Sequence, residues 1–345
     1  MRHVLDGGCG IDMFSDVEAR PKGIWSRIPP DTDLIQLNWT SHLIDWADFF
    51  RSSPEVPIVW RFADLNPMTG GCHYPDFCNG FLNGCRGCPQ IHDEKAKQRI
   101  ASNFRLKGEC IARIPSELMT IVAQSEWMDS LVAQSPIFKR FPRVIIPNGV
   151  NKSLFRRVDR GFCREFLNVH KSAPIALVFG SDGAPKRKGA HALLDQLEKL
   201  GKLPFHLLIV GDSKHSIGRR PEVTIVESLP SSYLSLLYSA VDLVLFPSLQ
   251  DNCPNTVLES QACGVPVLAF DNSGTKELVD GVTNGYLVAD RDFQGFVRKA
   301  CSLLTTQTLP PMDLVRRSVR DFQDMLSDYM TLYRKVASMK DLDVS

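Results

Sequence analysis

From Leu34 onward, short apolar runs alternate with amphipathic stretches. Residues 34–39, 57–62, 118–125 and 143–149 make one series, and 175–180, 205–211, 223–229, 242–248 and 266–271 make a second. Near-continuous apolar runs of this length are the pattern of strands buried on both faces of a parallel sheet. Helical patterns such as residues 191–200 separate them, so the alternation predicts an α/β protein with two doubly wound sheets. Near the end, Val315, Val319, Phe322, Met325, Leu326, Met330 and Leu332 recur at helical spacing between charges, predicting one long amphipathic helix over 314–338. Pro147-Asn148-Gly149 closes the first series in turn chemistry, and a polar, basic stretch follows. The predicted division is an N-terminal domain over 1–150, a C-terminal domain over 151–311 and a terminal helix over 312–345.

Composition changes this picture mainly by exclusion. Forty Lys and Arg against thirty-nine Asp and Glu leave a net charge of +1, so no global field draws the chain to nucleic acid. An anionic ligand has to be held by a local site. No apolar run approaches the roughly 18 residues that span a bilayer, and the first residues lack the order of a signal peptide, which points to a cytoplasmic protein. Four of the ten cysteines crowd into one segment, unlike a distributed disulfide framework. Their spacing, Cys72-x5-Cys78-x6-Cys85-x2-Cys88 with His73 adjacent, could supply four thiolates to a structural zinc. Buried thiols, or one or two local disulfides, are the alternatives.

The most informative stretch is 247–288, read as strand, loop, helix and strand. Pro254 suits the first turn of a helix and Gly264 the position just past its end. The loop of Asn252, Cys253, Pro254, Asn255 and Thr256 thus lies at a helix N-terminus beyond the carboxyl end of a parallel strand, where free N–H groups and the helix dipole favour phosphate. Asp251 lies in that loop and Glu259 on the helix; one carboxylate can face a bound sugar while the other accepts from vicinal ribose hydroxyls. Both also read as ordinary acids near a helix start. Residues 180–194 repeat the strand–loop–helix order, with Arg187 and Lys188 at the helix entrance, two cations suited to a diphosphate. Arg187, beside Lys186, reads equally as a solvated charge. Asp64 follows a predicted strand and either points into a cleft or bonds a loop backbone. Trp39, Trp46 and Trp60 read as core.

Here the residues resemble a known family. Asp251-x7-Glu259 followed by Ala262-Cys263-Gly264-Val265-Pro266-Val267 resembles the signature of the family 4 retaining glycosyltransferases, with Asp in place of the first Glu. Lys188-Gly189 resembles the family's phosphate motif and Asn148-Gly149-Val150 its interdomain segment, so the likeness runs over roughly 31–336. Residues 59–90 resemble a subgroup associated with exopolysaccharide and lipopolysaccharide assembly. The resemblance implies a GT-B fold, two Rossmann-like domains facing a cleft, with the last helix crossing back to the first domain. It implies a nucleoside diphosphate sugar as donor, a saccharide or lipid-linked saccharide as acceptor, no cofactor for the chemistry, and work at the inner face of the membrane with peripheral contact at most. Asp251, Lys188 and Asp64 would be catalytic; Arg187, Glu259 and residues 252–256 would bind donor.

Two departures stand out. The family's N-domain His-Asp pair appears here as Ala63-Asp64, which removes an imidazole from the acceptor side. Fewer residues precede Asp33 than the family places there, which implies an N-terminal domain incomplete at its start. Both leave room for a nucleotide-sugar-binding protein without turnover, and a phosphorylase-like GT-B enzyme is a further alternative. His3 to Gly10 resembles the opening of an S-adenosylmethionine-dependent methyltransferase, but Asp12 replaces an expected glycine and no ribose-binding acid follows.

Overall fold

The computed structural model describes residues 13–19, 22–52, 56–180, 184–211, 220–227 and 229–339, so the segment from His3 to Asp12 lies outside the described residues. The chain divides into two compact units, Met1–Pro147 with Leu326–Ser345, and Asn148–Met325. The first boundary falls just before the expected position. The second does not, because residues 312–325 group with the second unit.

Unit 1 holds four parallel strands, β1 (Ile35–Leu37), β2 (Ile58–Phe62), β3 (Met119–Ala123) and β4 (Arg143–Ile145), in the order β1-β2-β3-β4. Among the described residues this sheet runs in one direction only, without the reversal of a doubly wound sheet. Helices α1 (Trp46–Arg51), α2 (Glu94–Ile111) and α3 (Glu126–Gln134) begin on side-chain caps from Asp45, Asp93 and Ser125, each satisfying an otherwise orphan N–H. Trp46, Phe50 and Trp60 pack with centroids 5.0–5.4 Å apart, which makes two of the three tryptophans core as expected. Trp39 is 46% exposed, contrary to the core reading, because it lies past the end of β1 where the sheet no longer covers it.

Unit 2 contains β5 (Ile175–Phe179), β6 (His206–Val210), β7 (Val223–Val226), β8 (Leu243–Phe246), β9 (Val267–Phe270) and β10 (Gly285–Val288). All the pairings are parallel, in the order β10-β9-β8-β5-β6-β7. This is the doubly wound order of a Rossmann sheet, and the direction of winding reverses between β5 and β8. The nine strands expected from the apolar runs are present; β10, three of whose four residues are half-buried, had no such run to announce it. Helices α4 (Arg160–Phe166), α5 (Ala190–Glu198), α6 (Leu234–Ala240), α7 (Asn255–Ala262) and α8 (Phe293–Thr306) alternate with these strands.

The expected single terminal helix is broken into α9 (Met312–Arg317) and α10 (Phe322–Met339). The break has a cause. Val150 accepts from the Phe322 N–H and donates to the Arg320 carbonyl, pulling the backbone of 320–322 into a parallel bridge. A Cβ on Gly149 would meet the Asp321 carbonyl oxygen at 2.3 Å, so only glycine lets the two segments approach this closely.

Unit 1 also contains a fully buried lysine. Lys107 on α2 donates to the backbone and side-chain oxygens of Asn66 and lies 4.8 Å from the Trp46 ring centroid, bracing the loop after β2. Burial lowers its pKa from 10.5 to about 8, the neighbouring Cys72, Cys85 and Asp64 offsetting part of the shift. A depressed folded pKa means that the unfolded chain binds more protons between about pH 8 and 10.5, so this residue's contribution to stability rises with pH there. The wild-type-minus-Lys107→Met difference in urea-unfolding free energy should therefore grow in the wild type's favour from pH 8 upward, approaching ~1.4 kcal/mol per pH unit. A difference independent of pH would mean that the buried amine does not titrate in that window.

Candidate active site

The loops after β5 and β8 flank the point where the order of the second sheet reverses, the place where open α/β sheets form a ligand crevice. Lys186–Lys188 form a 3-10 turn, and Gly189, at φ +68°, starts α5. A Cβ on Gly189 would lie 2.0 Å from the Pro247 carbonyl oxygen; with none, the turn fits against the loop that follows β8, and the Leu249 N–H reaches the Arg187 carbonyl at 2.7 Å.

That contact delivers the cations to Asp251. Its Oδ2 accepts from Lys188 Nζ at 2.7 Å and from Arg187 Nη1 at 3.2 Å, while Arg187 Nη1 also donates to the Gln250 carbonyl at 2.7 Å. The Asp251 side chain is 10% exposed, Arg187 9% and Lys188 40%. Arg187 is thus a buried brace for Asp251, which corrects the solvated-charge reading; it is Lys186 that lies exposed. Ser273 Oγ accepts the Asp251 N–H at 2.9 Å, and Gly274 N–H donates to the Asp251 carbonyl at 3.0 Å, so the loop after β9 holds the same residue from the other side.

Helix α7 follows directly. Pro254 occupies its N-cap rather than its first turn, one position earlier than expected, and supplies no side-chain cap. Asn148 Nδ2 bridges the Cys253 carbonyl and Asn255 Oδ1, fixing the entry to the helix, and Gly264 stands past its end at φ +77°. Asn252 and Cys253 are buried, Thr256 is half-buried and Asn255 is exposed. Glu259 is half-buried, and its Oε2 accepts the Tyr238 O–H at 3.0 Å. Burial pushes the Glu259 carboxyl above its ordinary value and the Tyr238 bond pulls it back in part; burial pushes the Tyr238 phenol well up.

Unit 1 carries a second polar constellation. Asp64 Oδ1 accepts the Asn66 N–H at 2.9 Å, and Oδ2 lies 2.6 Å from His73 Nδ1. His73 Nε2 lies 2.7 Å from Ser15 Oγ, which in turn is 3.2 Å from His42 Nε2. The short contact with the Asp64 carboxylate places a proton on Nδ1. An imidazole thus lies against Asp64 although Ala63 carries none. Ser15 and His73 are both 2% exposed, so they orient Asp64 from behind, and Asp64 faces a shallow recess with Asn38, Trp39, Ser41 and Arg61.

The cysteine segment folds into unit 1. Cys72, Cys78, Cys85 and Cys88 do line one cavity, of about 20 Å³, together with Phe14, Phe81 and Ile100. Among the described residues, however, no three His, Cys, Asp or Glu side chains are arranged to hold a metal ion, and no cysteine is in a disulfide. Burial raises the Cys72 thiol well above its ordinary value and the Cys85 thiol to about 11, and they stand as buried thiols.

Of the donor-side residues named from sequence, the structure brings Asp251, Arg187 and Lys188 together and sets Glu259 on the helix that follows. Sequence reasoning missed Tyr238, Ser273 and Ser15, and named His73 only as a neighbour of the cysteines. A Tyr inside a helix and a His within a cysteine-rich loop carry no spacing that ties them to Glu259 or Asp64.

Residues 173–306 match the Glycosyl transferases group 1 family. The chain is 22% identical over 302 residues to the putative colanic acid biosynthesis glycosyl transferase WcaC of Escherichia coli, covering 82% of this chain and 69% of WcaC. It is 25% identical over 230 residues to a D-inositol 3-phosphate glycosyltransferase of Segniliparus rotundus, covering 59% of this chain and 50% of that protein, so it spans about half the length of that relative. Among solved structures it resembles sucrose-phosphate synthase from Thermosynechococcus elongatus, with a TM-score of 0.66 at 20% identity, covering 89% of this chain and 74% of the synthase. It also resembles Anabaena HepE in complex with UDP, with a TM-score of 0.58 at 16% identity over 81% of this chain and 72% of HepE. The fold is GT-B, and the matched residues 173–306 include Lys188, Asp251 and Glu259.

The unequal exposure of the two cations makes a testable difference. Asp251→Asn takes the carboxylate from a buried guanidinium and should lower the unfolding free energy by ~3 kcal/mol, whereas Lys188→Met removes a partly exposed pair and should cost under ~1 kcal/mol. Urea unfolding checks both. Equal costs would mean that Arg187 does not depend on Asp251.

Proposed function

We propose that the chain transfers a sugar, with retention and without a metal ion, from a nucleoside diphosphate sugar to a saccharide or lipid-linked saccharide in cell-surface polysaccharide synthesis. The observation that carries this reading is Asp251 held by Arg187 and Lys188 at the switch point of a glycosyl transferases group 1 domain. WcaC, described as a colanic acid biosynthesis enzyme, supports the polysaccharide setting, and HepE, solved with UDP-glucose, supports the donor class. The proposed place of work is the cytoplasm at the inner face of the membrane. No helix among the described residues is long and apolar enough to cross one.

In this reading Lys188, the more exposed cation, turns to the diphosphate together with the N-terminus of α7, while Arg187 keeps Asp251 in place to orient the sugar. Glu259 accepts from the ribose hydroxyls. The acceptor hydroxyl attacks on the face from which the diphosphate leaves; the anomeric C–O bond breaks as the new glycosidic bond forms, and the hydroxyl proton passes to the diphosphate. Asp64, oriented by His73, serves the acceptor side, where the half-exposed Trp39 offers a flat apolar face to a sugar ring.

The test is a thermal-shift screen of wild type and Glu259→Ala against UDP, GDP, ADP and their common sugars. A ligand at a hundred times its dissociation constant adds about 2.7 kcal/mol, a shift of ~5 °C or more. One nucleotide should give that shift in the wild type and not in Glu259→Ala; no shift with any nucleotide, from a cooperatively folded sample, would defeat the proposal. Because the carboxylate form accepts the ribose hydroxyls and burial raises the Glu259 pKa, donor affinity should fall as pH drops toward and through that raised value. Glu259→Gln should bind more weakly and lose that component of the pH dependence.

A further inference from the structure

A second group of cations lies at the edge of the unit 2 sheet opposite to Asp251. Pro174 precedes β5, Asp242 precedes β8 and Pro266 precedes β9, and these strand starts line two adjoining cavities of about 390 and 490 Å³. The cavities share Arg160, Asp242 and Leu309. At about 3.3 Å per residue, strands of this length put roughly 13–17 Å between this edge and the donor-side loops.

The charges here do not balance. Both oxygens of Asp242 are in use: Oδ1 accepts from Arg160, and Oδ2 accepts from Arg164 at 2.9 Å and from the Ile175 N–H at 2.8 Å. Arg164, 2% exposed, spends its remaining donors on the carbonyls of Ala240, His170, Lys171 and Ala173, and so holds the turn that leads into β5. Arg157 is half-buried against the second cavity and makes no hydrogen bond or ion pair among the described residues. Burial and the adjacent Arg160 work against its charge, and Asp242, already bonded to Arg160 and Arg164, offsets only part of that. Lys171, exposed at the mouth of the first cavity, is likewise without an ion pair among the described residues, and the other acid lining the groove is the exposed Asp313. A guanidinium kept half-buried beside another guanidinium is costly unless an anion joins them.

We propose that this groove is a second anion site, in which Arg157, Arg160 and Lys171 bind the phosphate or diphosphate group of a ligand separate from the sugar donor. Guanidinium forks match phosphate oxygens, and Leu304, Leu309 and Pro310 give the groove an apolar wall for whatever the phosphate is attached to. The same chemistry suits a soluble phosphorylated molecule or a lipid headgroup. The inference does not rest on the donor reading.

Calorimetric titration of the full chain with inorganic pyrophosphate tests it, using the Arg157→Gln/Lys171→Gln double variant and Lys188→Gln. One binding event should weaken about tenfold or more in the double variant, that is by ~1.4 kcal/mol or more, and persist in Lys188→Gln. The Lys171→Gln single variant, at an exposed position where folding is not at risk, should move in the same direction by less. An isotherm unchanged by the double variant, or a single event abolished by Lys188→Gln, would overturn the proposal. Co-sedimentation with phosphatidylglycerol vesicles distinguishes the sources: wild-type binding lost in the double variant assigns a lipid headgroup, and no vesicle binding with the pyrophosphate event intact assigns a soluble ligand.

Discussion

The carboxylate of Asp251 between Arg187 and Lys188 is the contact on which the carboxyl edge of unit 2 depends. The three side chains come from loops on opposite sides of the switch point, so their meeting ties the β5 loop to the β8 loop across the crevice. Desolvating Asp251 and Arg187 is expensive, and the pair survives burial because further bonds share the burden: Gln250 takes a guanidinium N–H, Ser273 takes the Asp251 N–H, and Gly274 donates to its carbonyl. Gly189 makes the approach possible, since any Cβ there would strike Pro247. The geometry is therefore set by backbone as much as by charge.

The two carboxylates eight positions apart occupy opposite environments. Asp251 is paired with cations; Glu259 accepts from the Tyr238 phenol and has a pKa pushed up by burial. An acid whose charge is compensated by the protein can stay fixed beside a reacting sugar. An acid that is only half-compensated gains most from a ligand that donates hydrogen bonds to it, as a pair of ribose hydroxyls does. The roles proposed for them differ as their surroundings do, although the spacing motif treats them as a matched pair.

Much of this was legible in the sequence wherever the signal was local. Buried parallel strands declare themselves as apolar runs, and Asp251, Glu259 and Gly264 lie in one strand–loop–helix stretch whose spacing is unbroken. The failures share a long-range cause. The terminal helix breaks because Val150 captures the backbone of 320–322, a contact between positions far apart in the chain. His73 reaches Asp64 through a loop folded back by the buried Lys107–Asn66 bonds, so replacing a family His by Ala63 removed an imidazole from one position and not from the structure. Cysteine spacing, in turn, brought four sulfurs to one cavity without arranging them to hold a metal, because the spacing fixes proximity and not the direction of each Cβ–S bond.

Strand β8 links these observations. Just before it stands Asp242, gripped by Arg160 and Arg164, and beyond its far end stands Asp251, gripped by Arg187 and Lys188; between them the side chains of Leu243–Phe246 are buried. A central strand pinned by an acid–cation cluster at each end, and by apolar packing along its length, cannot slide without breaking charge pairs in a poorly solvated setting. The carboxyl end is consequently rigid enough to hold a reacting group in register. The amino end differs in one respect: its guanidiniums outnumber the carboxylates that face them, which leaves attraction for an anion at that edge.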